Sequence, residues 1–315
     1  MKTAVFINGG AGRVLCAIPA LEAYLENNPD TIIVTEAWAE LFLASKKLRD
    51  ICFVPNTKNL FENYLKERKI LSPEPYRQHE YFNQKCNLMQ AFDMQINNLE
   101  EVRPAPKLEL SLSRQQQVQG YNFLEQAKNN LKKDKVVVFQ PFGQGANIDG
   151  RFIVDGSGRS FELKQVLEII EELNKEAVVV MMSSFQIPTE KNLGVVYPEN
   201  MDLLGWMGVI NAADYVLACD SVAQHMANAF NKKCTVVIGG TFPENITYEN
   251  NPNFTVIDNG KNERKYSPIR LVYEVCDDLN NEDLMVLDDK TLKQVIDSVK
   301  KGLKNEWWCM DFSHY

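Results

Sequence analysis

Short apolar runs that alternate with longer amphipathic segments constrain this chain most strongly, because they recur in two blocks. In the first block, residues 5–7 end at a glycine turn, residues 13–27 carry apolar side chains at helical spacing, and Thr31–Thr35 is rich in β-branched side chains. A strand, a helix and a second strand in this order form the unit of a parallel sheet. The first block is therefore predicted to open a parallel α/β domain.

The second block repeats the alternation from residue 135 onward. It predicts strands at residues 135–140, residues 177–182, Tyr215–Cys219 and Cys234–Ile238, and helices at residues 161–174, 202–212, 222–230 and 290–303. Crossovers between parallel strands are right-handed and leave the carboxyl ends of the strands at one edge, where ligands bind. The sequence thus predicts two doubly wound α/β domains with a cleft between them.

The boundary between the blocks falls where the pattern breaks, near residues 102–114. The run Arg103-Pro104-Ala105-Pro106 is extended and stiff, which suits a linker, and a polar helix follows at residues 113–133. A length of 315 residues fits two domains of ordinary size. We expect an N-terminal domain at residues 1–110, a C-terminal domain at residues 111–290, and a terminal helix and tail at residues 291–315 that pack back on the N-terminal domain.

Composition points to a soluble protein of a reducing compartment. The chain is 45% hydrophobic and 24% charged, and its longest apolar runs fall short of the roughly 20 residues that cross a bilayer. Residues 1–10 run straight into a glycine turn, unlike a signal peptide. None of the seven cysteines forms a C-x-x-C pair. We therefore expect a cytoplasmic protein without disulfides, structural zinc or a transmembrane segment.

The net charge of −8 is unevenly placed, since residues 1–120 are neutral. Within them, residues 46–69 hold seven Lys and Arg against three Asp and Glu. This stretch is either a solvated helix face or a patch for an anionic partner.

A glycine turn follows the first strand and contains Gly9, Gly10, Gly12 and Arg13. Glycines let the backbone approach a ligand at a helix N-terminus. Together with Glu36 at the end of the second strand, the turn partly matches a dinucleotide fingerprint, but Leu15 replaces the third glycine. An NAD or FAD site, a plain tight turn and a loop facing another ligand all remain open.

A glycine-rich loop follows Gln140 and extends to residue 160, with Gly143 near its start and Arg151 and Arg159 further on. It lies between a strand and a helix, where phosphate or ribose binds, and the two arginines could supply charge to a diphosphate. The alternative is a mobile surface loop.

The most informative segment is residues 213–229, in which an apolar strand ends in Asp220-Ser221 and a helix begins at once. Either side chain could cap that helix, whose N–H groups would then seat a phosphate. His225 lies one turn along the helix, either as a ligand or as a satisfied structural histidine. After the next strand, Gly239-Gly240-Thr241 either contacts the nucleotide or forms a strand-ending turn.

These blocks resemble glycosyltransferase family 9, the heptosyltransferase-like enzymes. Residues 12–21 are similar to the family segment G-D-V-(x)3-(I/L)-P-A-L, and residues 35–41 resemble the block after the second strand. Residues 214–229 with 240–243 resemble the family signatures A-D-(x)n-D-T-G-P-x-H-(L/M)-A and G-P-T-D-P. The likeness covers residues 1–60 and about 135–260, in family order.

The resemblance implies the GT-B fold, two Rossmann-like domains facing a cleft, with a nucleotide-diphosphate sugar bound by the C-terminal domain and the acceptor by the N-terminal one. It implies no metal and no cofactor beyond the nucleotide-sugar co-substrate. Asp220, Ser221 and His225 would border the donor sugar and diphosphate, and Arg159 would replace a phosphate-binding lysine. The expected donor-binding set is Gln140, Gly143, Arg159, Ser183, Asp220, Ser221, Gln224, His225 and Thr241.

Two departures from the family bear on catalysis. The aspartate of G-D-V, the family's expected base, is Arg13 here, and a guanidinium cannot act as a base at neutral pH. The Gly-Pro of the later signature is Val222-Ala223. We expect Glu36 to be the substitute base, with His79 a weaker candidate. The expected catalytic set is therefore Glu36, Arg13 and Asp220, beside an acceptor-side loop of Gly9, Gly10, Gly12 and Arg13.

The function predicted from the sequence is inverting, metal-independent sugar transfer to a hydroxyl, with a glycan of lipopolysaccharide type favoured as acceptor. Transfer to hydroxylated bases of DNA is an alternative, although an acidic chain disfavours nonspecific DNA binding. An inactive sugar-nucleotide-binding module and an NAD-type oxidoreductase are two further hypotheses. The sequence leaves the sugar, the nucleotide and the oligomeric state open.

Overall fold

The computed structural model describes residues 2–105, 107–150, 152–155, 157–248, 250–264 and 283–304. Its N-terminal sheet has four parallel strands in the order β3-β2-β1-β4. These are β1 (Thr3–Ile7), β2 (Thr31–Thr35), β3 (Cys52–Phe53) and β4 (Lys69–Leu71). The predicted strand–helix–strand opening is confirmed, and two short strands complete the sheet.

The C-terminal sheet has five parallel strands in the order β11-β10-β9-β5-β8. These are β5 (Val136–Gln140), β8 (Val178–Met181), β9 (Tyr215–Cys219), β10 (Cys234–Ile238) and β11 (Phe254–Asp258). From β5 the chain first adds β8 on one side and then adds β9, β10 and β11 on the other side. The carboxyl end of β5 is therefore the topological switch point, where doubly wound sheets bind ligands. An antiparallel hairpin, β6 (Ala146–Asp149) and β7 (Phe152–Asp155), lies inside the glycine-rich loop.

Helices connect the strands of both sheets. They are α1 (Ala11–Asn27), α2 (His79–Phe82), α3 (Leu88–Asn97), α4 (Arg114–Leu131), α5 (Leu163–Leu173), α6 (Leu203–Ala212), α7 (Val222–Ala229), α8 (Pro243–Ile246) and α9 (Asp289–Lys304). Short 3-10 helices occupy Ala39–Ala44 and Pro75–Arg77, and a π-helical turn occupies Phe61–Leu65. The predicted helices and strands end within two residues of the observed bounds, because apolar periodicity and capping residues mark their ends.

The terminal helix α9 packs on the C-terminal domain. Lys300 Nζ lies 2.9 Å from Glu172 Oε2 on α5, and Lys233 Nζ donates to the carbonyl of Gly302 at 2.9 Å. This differs from the expected packing of the helix on the N-terminal domain, because its apolar face covers the C-terminal sheet. The tail, residues 305–315, lies outside the described residues, as do Arg151 and Pro106.

One continuous cluster of buried side chains joins the two domains. It runs from Val5 and Leu15 in the N-terminal domain to Val138, Ala223 and Met226 in the C-terminal domain. Helix α1 therefore packs directly against helix α7, and the floor of the cleft is formed by apolar contacts.

A close glycine contact fixes helix α4 on helix α6. A Cβ atom added at Gly120 would lie 2.3 Å from the backbone C and O of Gly208. We expect Gly120→Ala to lower the free energy of unfolding by about 1–3 kcal/mol, because the clash with the rigid backbone outweighs the gain of about 1 kcal/mol in helix propensity. Urea denaturation measures this, with the exposed Gln119→Ala on the same helix as the control. Unchanged or greater stability in Gly120→Ala would contradict the contact.

Candidate functional site

A cavity of about 470 Å³ lies between the domains at the carboxyl ends of the strands, a size usual for sites that bind small molecules. We call it the interdomain cavity. Its N-terminal wall is formed by residues of the glycine turn together with Trp38, Glu40, Tyr76 and Leu88. Its C-terminal wall includes Gln140, Phe142, Gly143, Arg159, Met182, Ser183, Met201, Asp202, Leu203, Trp206, Asp220, Ser221, Val222 and His225. Most of the residues proposed from the sequence thus meet in one place.

Asp220 is a buried carboxylate with both oxygens engaged. Its Oδ1 accepts a hydrogen bond from Gln224 Nε2 at 3.0 Å, and its Oδ2 accepts one from Thr241 Oγ1 at 2.9 Å. Gln224 and Thr241 are not among the residues that line the cavity. Both therefore support Asp220, whose carboxylate is held in a fixed orientation.

The N-terminus of helix α7 is capped from another strand. Ser221 is the N-cap residue but makes no side-chain capping bond. Instead, Gln140 Oε1, at the end of β5, accepts a hydrogen bond from the backbone N–H of Ala223 at 2.8 Å. The expected cap by Asp220 or Ser221 is thus wrong, because the Asp220 carboxylate is oriented toward Gln224 and Thr241 and the side chain of Gln140 supplies the capping oxygen.

Arg159 brings a positive charge to this end of the cavity. Its Nε donates to Ser157 Oγ at 3.2 Å, and its terminal nitrogens have no hydrogen bond or ion pair within the described residues. Burial by itself would lower the pKa of this guanidinium, but Asp220, Cys219 and Asp155 outweigh it, and the pKa is raised. Arg159 therefore stays charged and has donors free for an anion.

The glycine-rich loop before Arg159 is organised by one carboxylate. Asp155 Oδ1 accepts from the N–H of Ser157 at 2.8 Å, and Asp155 Oδ2 accepts from Ser160 Oγ at 2.5 Å. Ser160 Oγ in turn accepts from the N–H of Gly143 at 2.9 Å. Burial would raise the pKa of Asp155, but these bonds and Arg159 lower it. The loop thus contains an antiparallel hairpin followed by a turn that is held by the Asp155 carboxylate.

His225 is buried at the junction of the two domains. Its Nδ1 is hydrogen bonded to the Tyr248 hydroxyl at 2.7 Å and lies 3.6 Å from Cys16 Sγ on helix α1. A Cβ atom at Gly12 would lie only 2.7 Å from His225 Cδ2, so the glycine permits the close approach of α1 to this ring. Burial lowers the pKa of His225 to about 4, although Asp220 opposes this, and the ring is neutral at neutral pH.

This pKa predicts a stability that falls in weak acid. Between the ordinary value of 6.5 and about 4, the unfolded chain binds a proton that the folded chain does not. Stability is therefore lost as the pH falls through this window, by about 2 kcal/mol between pH 7 and pH 5 from His225 alone. Urea unfolding at the two pH values should show a smaller loss in His225→Gln, whereas the exposed His79→Gln should behave like the wild type. Equal losses in all three proteins would contradict the assignment.

Arg13 is buried in the N-terminal wall and is already paired. Its Nη1 lies 3.2 Å from Glu74 Oε1, its Nη2 donates to the carbonyl of Pro73 at 3.3 Å, and its guanidinium stands over the rings of Tyr76 and Phe92. Gly9, with a φ of +100°, brings the turn against this side chain. Arg13 therefore forms part of the wall as a neutralised ion pair.

Glu40 is the carboxylate that lines the cavity on the N-terminal side, among the residues that the structure describes. Glu36 is exposed and does not line the cavity, and neither does His79. Between Glu36 and Glu40, Trp38 adopts a left-handed conformation (φ 62°, ψ 30°) that turns the chain into the 3-10 helix starting at Ala39. Glu40 lines the cavity and has no hydrogen bond or ion pair within the described residues. Sequence reasoning missed it because the left-handed tryptophan leaves no signal in the apolar pattern.

Two further observations concern the described residues only. None of their helices has the length and apolar character needed to cross a membrane. Within the same ranges, no three His, Cys, Asp or Glu side chains converge as a set of metal ligands.

Comparison with solved structures identifies the architecture as GT-B. A family 9 glycosyl transferase from Veillonella parvula DSM 2008 is similar over 96% of this chain and 97% of its own, with a TM-score of 0.67 and 12% identity. The ADP-heptose lps heptosyltransferase II of E. coli covers 96% and 98%, with a TM-score of 0.57 and 12% identity. The iron-containing heptosyltransferase TibC of enterotoxigenic E. coli, in complex with ADP-D-β-D-heptose, covers 96% and 78%, with a TM-score of 0.58 and 10% identity.

No protein-family model matches the sequence, and no curated protein matches it either. At the identities found, the structural likeness establishes the fold and leaves the activity to be argued from the site. The predicted GT-B fold is confirmed.

Proposed function

We propose that this protein is a glycosyltransferase that moves a sugar from a nucleotide diphosphate to a hydroxyl acceptor. The observation that carries the proposal is the charged guanidinium of Arg159, whose terminal nitrogens have no partner among the described residues. It lines the interdomain cavity together with Ser221 and Val222 at the N-terminus of α7. A guanidinium binds phosphate oxygens through parallel charge-assisted hydrogen bonds, and a helix N-terminus favours the same charge. TibC is found in complex with ADP-D-β-D-heptose, a sugar nucleotide with such a diphosphate.

The donor is proposed to lie along the C-terminal wall. Its diphosphate contacts Arg159 and the start of α7, and its base and ribose face the apolar side of the cavity formed by Met182, Met201 and Trp206. Ser183 lies next to Met182 on the same wall. The sugar then extends toward Asp220 and the neutral ring of His225.

Glu40 is proposed as the general base, in place of Glu36. The acceptor oxygen attacks the anomeric carbon, Glu40 takes the hydroxyl proton, and the bond from that carbon to the diphosphate oxygen breaks. Attack opposite to the leaving group inverts the anomeric centre. Arg159 stabilises the charge that develops on the leaving diphosphate, so this scheme requires no metal ion. Asp220 is less suited as the base because it lies on the C-terminal wall with the proposed donor, whereas Glu40 lies on the acceptor side.

The charges of the N-terminal domain favour a neutral glycan hydroxyl over DNA as acceptor. Three of the seven cations of the basic stretch, Lys47, Arg49 and Arg68, lie 2.9, 3.7 and 2.9 Å from carboxylates, and none of the seven lines the interdomain cavity. Arg13 is neutralised by Glu74, which leaves Glu40 as the charge of this wall with no partner among the described residues. Duplex DNA needs several free cations to bind its phosphates, whereas the N-terminal wall of the cavity presents the negative charge of Glu40.

An inactive module and an oxidoreductase receive less support than a transferase. An inactive sugar-nucleotide module was suggested by the loss of the family aspartate, but Glu40 supplies a carboxylate on the acceptor side of the cavity. Gly10 and Gly12 favour an NAD site in the sequence, but Gly12 lies against His225, and a Cβ atom added at Gly10 would lie 3.0 Å from Gln144 Oε1. The glycines thus serve the contact between the domains.

A thermal-shift panel tests the proposal. ADP, UDP, GDP, CDP and NAD are each added at saturating concentration, and a ligand at 100 times its Kd stabilises the fold by about 2.7 kcal/mol. We expect one or more nucleoside diphosphates to raise Tm and NAD to have no such effect. Stabilisation by NAD alone would overturn the proposal.

A further inference from the structure

Segment 241–248 is hydrogen bonded at both of its ends to residues that line the interdomain cavity. At its ends, Thr241 Oγ1 donates to Asp220 Oδ2 at 2.9 Å and the Tyr248 hydroxyl is hydrogen bonded to His225 Nδ1 at 2.7 Å. Both partners belong to the C-terminal wall of the interdomain cavity. The segment is therefore held against the proposed donor site at two points.

Asn245, in the middle of the segment, reaches the other domain. Its side chain is 2% exposed, and its Nδ2 donates to the backbone carbonyls of Tyr81 at 2.8 Å and Cys86 at 3.0 Å. Both bonds are buried and join residues about 160 positions apart in the chain. Helix α8 presents the amide, and its C-terminus is closed by Thr247, whose N–H and hydroxyl both donate to the carbonyl of Pro243 at 2.9 Å.

The turn that receives these bonds carries part of the acceptor wall. Tyr76 precedes it and Leu88 follows it, and both line the interdomain cavity. Tyr81 packs edge-on against Tyr76, with ring centroids 5.6 Å apart, and Tyr76 in turn lies under the Arg13 guanidinium. Moving the turn would therefore move the ring that faces the cavity.

We propose that Asn245 is a positioning residue that latches the Tyr81–Cys86 turn of the N-terminal domain to the donor half of the site. The two carbonyls converge on one buried amide, and a buried carbonyl that loses its donor is strongly disfavoured. The amide thereby fixes Tyr76 and Leu88 at the distance from Asp220 and His225 that sugar transfer requires. The inference rests on the proposed function for the role of the cavity, and the contact itself is independent of any ligand.

Hydrogen exchange of the ligand-free, full-length protein tests the latch. In Asn245→Leu, which keeps the branched shape of the side chain and removes both donors, amides in residues 79–88 should exchange about tenfold faster or more. The control is Asn174→Leu, since Asn174 is a half-buried asparagine whose contacts lie inside the C-terminal domain. Its Nδ2 donates to the carbonyl of Leu193 at 2.6 Å, and, like Asn245, it has a buried Oδ1 with no hydrogen-bond partner among the described residues. That variant should leave residues 79–88 at the wild-type rate. Asn245→Ala serves the same purpose if the leucine variant does not fold.

Calorimetric titration with ADP distinguishes a local displacement of the acceptor wall from a general loss of folded structure. A latch on the acceptor side should leave the Kd for ADP in Asn245→Leu within about twofold of the wild type, because the nucleotide contacts the C-terminal wall. Wild-type exchange at residues 79–88 in both Asn245 variants, or equal acceleration throughout both domains, would overturn the latch. If ADP and the other nucleoside diphosphates fail to bind the wild type, the proposed function falls, while the exchange comparison still decides the latch.

Discussion

Replacing Glu40 with glutamine is expected to slow sugar transfer by about 10²–10⁴-fold, the usual contribution of a general base. The substitution keeps the size of the side chain and removes its ability to take the acceptor proton. Because Glu40 belongs to the N-terminal wall, nucleotide affinity should stay within about twofold of the wild type. The measurement is the rate of nucleoside diphosphate release from the nucleotide sugar in the presence of acceptor, together with calorimetric binding of the nucleotide.

Glu36→Gln is the informative comparison, since the sequence favours Glu36 and the geometry favours Glu40. Glu36 is exposed and outside the cavity, so its amide variant should transfer sugar at nearly the wild-type rate. A large loss of transfer rate in Glu36→Gln, with an active Glu40→Gln, would instead identify Glu36 as the general base.

The second large effect is expected at Arg159. Charge-assisted hydrogen bonds contribute about 1.5–3 kcal/mol each, so losing a bidentate contact to the diphosphate in Arg159→Ala should weaken nucleotide binding by at least about 100-fold. Arg159→Lys should recover part of this, because an ammonium keeps the charge and loses the planar fork. Isothermal titration with the best nucleoside diphosphate gives both values.

Arg49→Ala is the matched control, since Arg49 is an exposed arginine of the N-terminal domain. It should bind nucleotide within about twofold of the wild type. Wild-type affinity in Arg159→Ala would mean that the diphosphate lies elsewhere.

The segment around Asp220 shows how far the sequence carries the prediction of the site. Strands β9 and β10 have the predicted bounds, and Asp220 and His225 both reach the cavity. These positions follow from local periodicity and from the rule that parallel strands end at one edge. The hydrogen-bond partners in this segment cannot be predicted in the same way. For example, Gln140, which caps helix α7, is 83 positions from Ala223 in the chain.

The glycine turn shows the opposite case. Its glycines suggest a ligand loop, and Gly10 and Gly12 do border the cavity, but Gly12 is needed for the approach of helix α1 to His225. Such a contact between domains depends on their relative placement, which no local pattern encodes. Glu40 was missed for a related reason, since the left-handed Trp38 redirects the chain between two glutamates only four residues apart.

The most direct test of the central claim is the position of the diphosphate in a crystal soaked with the nucleoside diphosphate that stabilises the protein most. We predict phosphate oxygens within hydrogen-bond distance of the Arg159 guanidinium and beside Ser221 and Val222 at the start of helix α7. A diphosphate bound instead at Gly9–Gly12 of the N-terminal domain, with Arg159 free, would contradict it.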